Sequence, residues 1–224
     1  MNKKMNIAID GPAGAGKSTV AKIVAEKLSY LYIDTGAMYR ALTFVAMRVG
    51  LNLEEGSQLI ELLKDLRIQL QHEESGVRVF VNNEDVTAAI RTKNVTSNVS
   101  LVSSHEAVRI EMVDRQRKLA ENGHAVLDGR DIGTYVLPDA KVKIFLTASV
   151  EERARRRYEE HQGKGILSNF DQIKKEIAHR DKLDSTRAFA PLKKADDAVE
   201  IDSTALTIPE VAELIIELAK ERAR

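Results

Sequence analysis

Short apolar runs alternate along most of the chain with longer segments in which apolar residues recur every three or four positions. The short runs predict buried strands at residues 5–10, 31–34, 125–128, 142–146 and 198–202. The longer segments predict helices at residues 20–28, 35–49, 51–66, 94–122, 170–183 and 208–222, with one more opening at residue 151. Strands that alternate with helices are typical of α/β proteins. We therefore expect a doubly wound, five-stranded parallel sheet that binds its ligands beyond the carboxyl ends of the strands.

A different pattern interrupts this alternation in the first half of the chain. Residues 68–71 and 77–81 alternate apolar and polar positions, with turns expected at 73–76 and 82–85. This pattern predicts a small antiparallel insertion, of about residues 51–93, in a single domain whose core is formed by residues 1–50 and 94–224.

Composition narrows the class of protein. The chain has 224 residues, 43% of them hydrophobic, which is enough for a full core. It shows no apolar run near the roughly 18 residues of a membrane span and no signal-peptide pattern, so we expect a cytoplasmic protein with no membrane partner. Zero cysteines exclude disulfides and thiolate chemistry, and 34 basic against 34 acidic residues argue against a broad nucleic-acid-binding surface.

The segment from Gly11 to Ser18 matches the pattern G-x-x-x-x-G-K-[ST] between the first predicted strand and the first predicted helix. Its glycines let backbone N–H groups point inward, at the positive end of the helix dipole, where phosphates bind. Lys17 would reach the β- and γ-phosphates, and the Ser18 hydroxyl suits Mg²⁺. The alternative is a glycine-rich turn with a coincidental Lys-Ser pair.

Further polar residues follow the second and third predicted strands of the sheet. Thr35 and Arg40 either bind an anionic ligand near the phosphate loop or serve as a helix cap and a solvated side chain. Asp128 ends a strand, where a carboxylate can hold Mg²⁺ or its water. Arg130 and Asp131 lie at the ligand-facing edge, unless they simply pair with each other.

Four arginines occur within five residues at the start of the helix that opens at residue 151. Pairing of Glu151 with Arg155, and of Glu152 with Arg156, would leave Arg153 and Arg157 unpaired on one face, an arrangement suited to binding phosphate. The segment 161–165 is expected to be flexible, and Ser168 to cap the next helix. This pattern therefore predicts a movable helical lid over about residues 153–168.

Several arginines around one phosphate loop favour phosphoryl transfer, which needs positioning and neutralised oxygens more than covalent help. The chain also shows no obvious general base. This combination suits a kinase whose acceptor is already an anion, because a phosphate oxygen needs no deprotonation at neutral pH.

Four motifs, at residues 11–18, 34–40, 128–133 and 180–187, resemble those of the bacterial cytidylate kinases, a family of nucleoside monophosphate kinases. The resemblance covers nearly the whole chain, including the insertion, which is similar to the enlarged monophosphate-binding domain of those enzymes. It implies transfer of the γ-phosphate of ATP to CMP or dCMP, with Mg²⁺ as cofactor, in a protein that we expect to be a monomer.

The resemblance also implies a role for each matching residue. The ATP-binding loop would be Gly11, Pro12, Ala13, Gly14, Ala15, Gly16, Lys17, Ser18 and Thr19. Arg40, Arg130 and Arg187 would bind the acceptor phosphate, Arg180 and Asp184 the sugar, and Ser100, Arg109 and Asp131 the cytosine, with Thr35 and Tyr39 beside them. Arg153 and Arg157 would cover ATP as lid residues, and Ser18 and Asp128 would hold the metal. The catalytic set would be Lys17, Arg130, Arg187, Arg153 and Arg157.

Other functions compete with this one. A P-loop GTPase is disfavoured because no N-K-x-D base-reading motif follows a later strand. A small-metabolite kinase on the same scaffold would not need residues that read cytosine. A nucleotide-sensing or RNA-binding module would use the loop for binding alone, and the neutral net charge counts against it.

Overall fold

The structure, a computed structural model, describes residues 5–73 and 76–223. It divides into two compact units. The first contains the described residues up to Tyr32 and those from Ala120 onward, and the second runs from Ile33 to Leu119. The predicted insertion of residues 51–93 falls within the second unit, and its bounds stay a prediction. Positions 74 and 75 of the turn predicted at 73–76 lie outside the described residues.

Helices and strands follow each other along the chain much as the hydrophobic pattern predicts. The described strands are β1 (Ile7–Asp10), β2 (Leu31–Asp34), β3 (Ile68–Glu73), β4 (Gly76–Val81), β5 (Glu84–Asp85), β6 (Ala125–Gly129), β7 (Val142–Thr147) and β8 (Val199–Asp202). The described helices are α1 (Lys17–Leu28), α2 (Thr35–Arg48), α3 (Gly56–Asp65), α4 (Lys93–Val102), α5 (Glu106–Ala120), α6 (Val150–Gly163), α7 (Phe170–Thr186) and α8 (Ile208–Ala223). A 3₁₀ turn at Ala89–Arg91 and a π-helical turn at Ile132–Val136 complete the set.

The larger sheet has five strands in the order β2-β6-β1-β7-β8, and all of them except the second half of β2 belong to the first unit. Strand β1 pairs in parallel with β6, where Ile7 lies opposite Val126, and with β7, where Ile7 lies opposite Val142. All four residues of β1 are buried, as expected for a strand covered on both faces. From β1 the chain passes to β2 on one side of the sheet, and the later connection from β6 to β7 crosses to the other side, so the loop that follows β1 lies at the switch point. The predicted doubly wound α/β fold is confirmed.

Helices α1 and α8 pack against each other beside this sheet. Each buries apolar residues four positions apart, Val20 and Val24 in α1 and Val211 and Ile215 in α8. The helix period therefore turns one stripe of each helix toward the core. Across the described residues, none of the helices combines the length and the apolar character that a membrane crossing requires.

The second unit contains the predicted antiparallel sheet, in the order β3-β4-β5. Its last strand corrects our prediction of a turn over residues 82–85. The turn is limited to Asn82 and Asn83, which both have positive φ angles of 49° and 71°. Two such residues match the twist of a tight hairpin, so Glu84 and Asp85 return to pair with β4.

The single helix predicted for residues 94–122 is two helices, α4 and α5. The hydroxyls of Ser103 and Ser104 donate to the carbonyls of Ser100 and Leu101, at 3.2 and 2.7 Å. Serine side chains that bond to nearby backbone compete with helix propagation. This local competition ends α4 at Val102, and α5 begins three residues after Ser103.

Two helix caps also differ from the prediction. Asp34, not Thr35, caps α2, because its side chain accepts a hydrogen bond from the N–H of Ala37 at 2.7 Å. Asn169, not Ser168, caps α7, because its side-chain oxygen accepts from the N–H of Gln172 at 2.9 Å. The capping residue lies one position before the candidate in α2 and one position after it in α7, and in each helix its side chain accepts from a free N–H of the first turn.

Helix α6 continues further than we predicted from the glycines at 163 and 165. It runs through Gly163, so that the first half of the segment predicted to be flexible is helical. The helix ends where Gly165, with a φ of 68°, donates to the carbonyl of Gln162 while Ile166 donates to that of His161. These two hydrogen bonds form a Schellman motif, which ends the helix at a glycine in the left-handed conformation.

Candidate active site

The loop after β1 requires glycine where the chain turns toward α1. Gly11 has a φ of +147°, and a Cβ atom there would lie 1.9 Å from the carbonyl oxygen of Leu146. Gly16, with a φ of +89°, precedes the first residue of α1 in a left-handed conformation. The loop therefore delivers its backbone to the N-terminus of α1, where N–H groups of the helix are available to an anion.

Lys17 is buried at the start of α1, and its Nζ donates to the carbonyl of Pro12 across the loop at 2.7 Å. Burial lowers its pKa well below the ordinary value, and the positive charges of Arg130 and Arg180 lower it further. The carboxylates of Asp128 and Asp10 oppose this effect without cancelling it. Arg130 and Arg180 thus lie near enough to Lys17 to interact with it electrostatically, and an anion bound beside these cations would be stabilised.

Ser18 and Asp128, the two predicted metal ligands, are brought together. The Ser18 hydroxyl donates to Asp128 Oδ2 at 2.7 Å, and the Tyr32 hydroxyl donates to Asp128 Oδ1 at 2.8 Å. The residues fit a divalent cation such as Mg²⁺, because a hydroxyl and a carboxylate at the mouth of a phosphate loop are hard oxygen ligands. Tyr32 orients the carboxylate from behind, as partners of metal ligands commonly do.

Arg130, Arg180 and Asp184 form a second cluster in the first unit. Arg130 Nε donates to Asp184 Oδ2 at 2.9 Å, and Arg180 Nε lies 4.0 Å from the same oxygen. Burial alone would raise the pKa of Asp184, but Arg130, Arg180 and Arg187 outweigh it, and the pKa lies below its usual value. Asp184 is therefore an ionised carboxylate, and one of its oxygens lies near both Arg130 and Arg180, two predicted substrate-binding residues.

Asp131 lies beside a different arginine. Its Oδ1 is 3.6 Å from a terminal nitrogen of Arg187, and both side chains are almost completely buried. Arg187 also donates from its Nε to the carbonyl of Ala190 at 2.7 Å. Because Arg130 pairs with Asp184 and Asp131 with Arg187, the simple alternative of a pair between the neighbours Arg130 and Asp131 does not describe this site.

Asp10, the last residue of β1, is a site residue that our sequence analysis did not single out. Its two carboxylate oxygens accept from the N–H groups of Ile132 and Gly133, at 2.8 and 2.7 Å. These bonds hold the π-helical turn that begins directly after Asp131. Its position could have identified it, since Asp10 ends the first predicted strand just as Asp128 ends the third, and Asp128 was identified by that rule.

The arginines of α6 have different partners from those predicted. Glu152 pairs with Arg156 as expected, but it also pairs with Arg155, and Glu151 pairs instead with Lys174. Arg153 is not unpaired as predicted, because it is buried and donates to Asp181 Oδ2 at 2.7 Å. Arg157 is half-buried, and within the described part of the chain no carboxylate lies within ion-pair distance of it.

In the second unit, Asp34 organises the start of α2. The two oxygens of Asp34 each lie 3.2 Å from Nη2 of Arg40, and a terminal nitrogen of Arg91 lies 3.7 Å from Asp34. Gly36 leaves room for this arrangement, since a Cβ there would lie 3.0 Å from Arg40. Thr35 is buried in the first turn of the helix. Arg40 is thus held rather than solvated, which disfavours the simpler of our two interpretations.

The remaining predicted substrate residues also lie in the second unit. Arg109 is almost fully buried, with its guanidinium 5.3 Å from the centre of the Tyr39 ring, and it donates to the carbonyl of Ser103 at 3.0 Å. Ser100 is buried in the last turn of α4. The break between α4 and α5 therefore contributes the carbonyl that orients Arg109, which local sequence did not indicate.

Comparison with known proteins identifies the family. The family model described as cytidylate kinase matches residues 7–221. The chain belongs to the cytidylate kinase family. A cytidylate kinase of Anoxybacillus flavithermus is 61% identical over 222 residues, which cover 99% of this chain and 99% of that protein. A cytidylate kinase of Bacillus subtilis is 58% identical over 224 residues, which cover 100% of both chains.

A solved structure supports the fold of this cytidylate kinase family member independently of its close relatives. The crystal structure of an uncharacterized protein from Eubacterium ventriosum aligns with a TM-score of 0.54, covering 98% of this chain and 99% of that one. With 14% sequence identity, this likeness shows the fold alone.

Asp10 yields a testable prediction for this cytidylate kinase family member. Burial raises its pKa from 3.8 to about 7, although the two N–H donors and Lys17 act in the opposite direction. Between pH 3.8 and about pH 7, Asp10 therefore keeps a proton in the folded protein that it has lost in the unfolded chain. The wild-type stability should therefore fall as the pH rises from about 4 to about 7, by at most about 4 kcal/mol from this group.

The free energy of unfolding in urea is measured by circular dichroism, at about pH 5 and at about pH 8. Asp10→Asn removes the titrating group, so its stability relative to wild type should increase between the two pH values. The exposed Asp139→Asn variant controls for the loss of a charge and should show no such change. A constant difference between Asp10→Asn and wild type would contradict the raised pKa.

Proposed function

We propose that this protein transfers the γ-phosphate of ATP to CMP or dCMP, giving CDP or dCDP and ADP. The observation that carries the proposal is the family membership of almost the whole chain. The geometry of the first unit supports it, because a phosphate loop at the start of a helix, with Lys17 lying across it, is suited to a polyphosphate donor. A coupled assay that detects ADP formation from ATP with CMP, dCMP or UMP as acceptor tests it directly.

On the donor side, the loop backbone and Lys17 would bind the phosphates of ATP. Lys17 already lies across the loop, and binding requires only that its Nζ exchange the carbonyl of Pro12 for a phosphate oxygen. Ser18 and Asp128 would hold a divalent metal, which we propose to be Mg²⁺. When bound, that ion neutralises charge on the phosphate oxygens.

On the acceptor side, Arg130, Arg187 and Arg40 would bind the acceptor phosphate. Each has a carboxylate partner that orients its guanidinium, Asp184 for Arg130, Asp131 for Arg187 and Asp34 for Arg40. Orientation before substrate binds lowers the reorganisation that transfer requires. The attacking group is a phosphate oxygen that is already ionised, so no residue of this set needs to act as a base.

We assign recognition of the nucleoside by residue type. Arg180 and Asp184 would bind the sugar, and Ser100, Arg109 and Asp131 the cytosine, with Thr35 and Tyr39 beside the substrate. A carboxylate accepts the exocyclic amine of cytosine, whereas uracil presents a second acceptor at that position. Arg157, which has no carboxylate partner in the described residues, remains free to cover ATP. Four further expectations stay predictions: lid movement over about residues 153–168, a monomeric state, a cytoplasmic location and the lack of nucleic-acid partners.

Removal of a cation facing the phosphates should slow the reaction strongly. Lys17→Ala and Arg130→Ala should each lower kcat by a factor on the order of 10² or more, because each removes charge stabilisation of the transferred group. The exposed Lys175→Ala variant on α7 should retain wild-type turnover. Near-normal turnover in a folded Arg130→Ala protein would remove Arg130 from the site.

Selectivity for the base should depend on Asp131. Wild type should prefer CMP to UMP, by several-fold to about 10³-fold in kcat/KM, because UMP would place a carbonyl against a buried carboxylate. Asp131→Asn should narrow that gap, since an amide can turn its donor toward the uracil carbonyl. The measurement is the ratio of kcat/KM for the two substrates. If the ratio does not change in Asp131→Asn, the carboxylate does not read the base and serves only Arg187.

A further inference from the structure

Arg153 is bound in place by acceptors from three separate segments of the first unit. Its Nε donates to the carbonyl of Ala148 at 2.9 Å. One terminal nitrogen donates to the carbonyl of Ala13 in the phosphate loop at 2.9 Å and to Asp181 Oδ2 at 2.7 Å. Only 4% of the side chain is exposed. The guanidinium therefore lies under the loop rather than on the outer face of α6.

Asp181, in α7, completes this arrangement from the other side of Ala13. Its second oxygen, Oδ1, accepts from the N–H of Ala13 at 3.3 Å. The carbonyl and the N–H of one phosphate-loop residue are thus both bound by the Arg153–Asp181 pair. Gly14 follows with a φ of +78°, and a Cβ added there would lie 3.5 Å from the Cβ of Arg153. The pair supports the loop where it turns.

Helices α6 and α7 have their own apolar contact, which keeps the two members of the pair together. Ala154, next to Arg153, is buried with Ile173 and Ile177 of α7, and Tyr158 and Phe170 pack against this cluster. The position of each charged group is consequently set by packing as well as by the ion pair. A charged group held in this way is pre-oriented before any ligand arrives.

The charge of Arg153 is already neutralised inside the protein. To reach a bound nucleotide, its guanidinium would have to leave a carboxylate and two carbonyls in a buried position, which is costly. Arg157, one helical turn further, has no carboxylate within ion-pair distance among the described residues and is less buried. The two arginines that looked equivalent in sequence therefore have different environments.

We propose that Arg153 and Asp181 are positioning residues, which fix the backbone of Ala13 so that the phosphate loop is ready to bind the donor nucleotide. Arg153 acts through the loop and does not itself contact ATP. The inference rests on the proposed function for the identity of the donor. It assigns a role to Asp181 and replaces the lid role that the family resemblance implied for Arg153.

Steady-state kinetics of single and double variants test this proposal. Asp181→Ala and Arg153→Lys should each raise the KM for ATP by about tenfold, because either change frees the loop backbone, while the KM for CMP should stay within about twofold of wild type. The double variant should be no worse than the more affected single variant, because both changes break one pair. Asp181→Asn keeps an oxygen for the Ala13 N–H and should be intermediate.

Two outcomes would overturn the proposal. If Arg153 is a cation that contacts ATP and is merely stored on Asp181, Asp181→Ala would release it, and the KM for ATP would stay the same or fall. An increase confined to the KM for CMP would instead place Asp181 with the acceptor. The exposed Asp171→Asn variant, at the start of the same helix, controls for the loss of a charge from α7 and should match wild type.

Binding of ADP, measured by calorimetry without acceptor, separates this proposal from the proposed function. Asp181→Ala should bind ADP more weakly than wild type by about tenfold, whatever the acceptor is. A wild-type protein that binds ADP but does not phosphorylate CMP would refute the cytidylate kinase activity and leave the positioning role open to this same comparison. Equal ADP affinity in wild type and in folded Asp181→Ala and Asp181→Asn would refute the positioning role.

Discussion

Pairing of arginines with aspartates beside a buried lysine is the interaction on which the first unit depends. Lys17, Arg130 and Arg180 lie close enough for the arginines to lower the pKa of the lysine. Such a group of cations is stable around a buried lysine only if carboxylates lie close to the guanidinium groups. The need for anions at this loop is therefore built into its electrostatics before any substrate is considered.

Aspartate carboxylates meet this need. They pair Arg130 with Asp184, Arg187 with Asp131 and Arg153 with Asp181. Each pair joins segments far apart in sequence, and each aspartate is held near the carboxyl ends of the parallel strands. The chain as a whole has no net charge. The fold nevertheless gathers Lys17 and several arginines around one loop, and the carboxylates that pair with the arginines orient their side chains.

Aspartates also connect the backbone to the side chains in both units. In the first unit, Asp10 binds two N–H groups of the turn that follows Asp131, and so links the end of β1 to that turn. In the second unit, Asp34 caps α2 and at the same time lies against Arg40. Asp10 thus fixes a backbone turn, whereas Asp34 fixes the start of a helix and a functional side chain together.

The sequence by itself determined the features that depend on neighbours along the chain. Alternating apolar runs indicated the five strands, and the glycines around Lys17 indicated the phosphate loop, because strand burial and left-handed turns are local requirements. Asp128 and Ser18 could be paired in advance because parallel strands bring their carboxyl ends to one edge. Matching motifs supplied the family, and the match over residues 7–221 confirmed it.

Only the tertiary structure decided which charges are paired and which remain for a ligand. Arg153 and Arg157 have the same side chain on the same helix, yet one is buried against Asp181 and the other is not. The raised pKa of Asp10 likewise depends on burial and on hydrogen bonds that local patterns do not reveal. The physical reason is that ion pairing and desolvation depend on distances through space, whereas the hydrophobic pattern reports only which face of each element is turned inward.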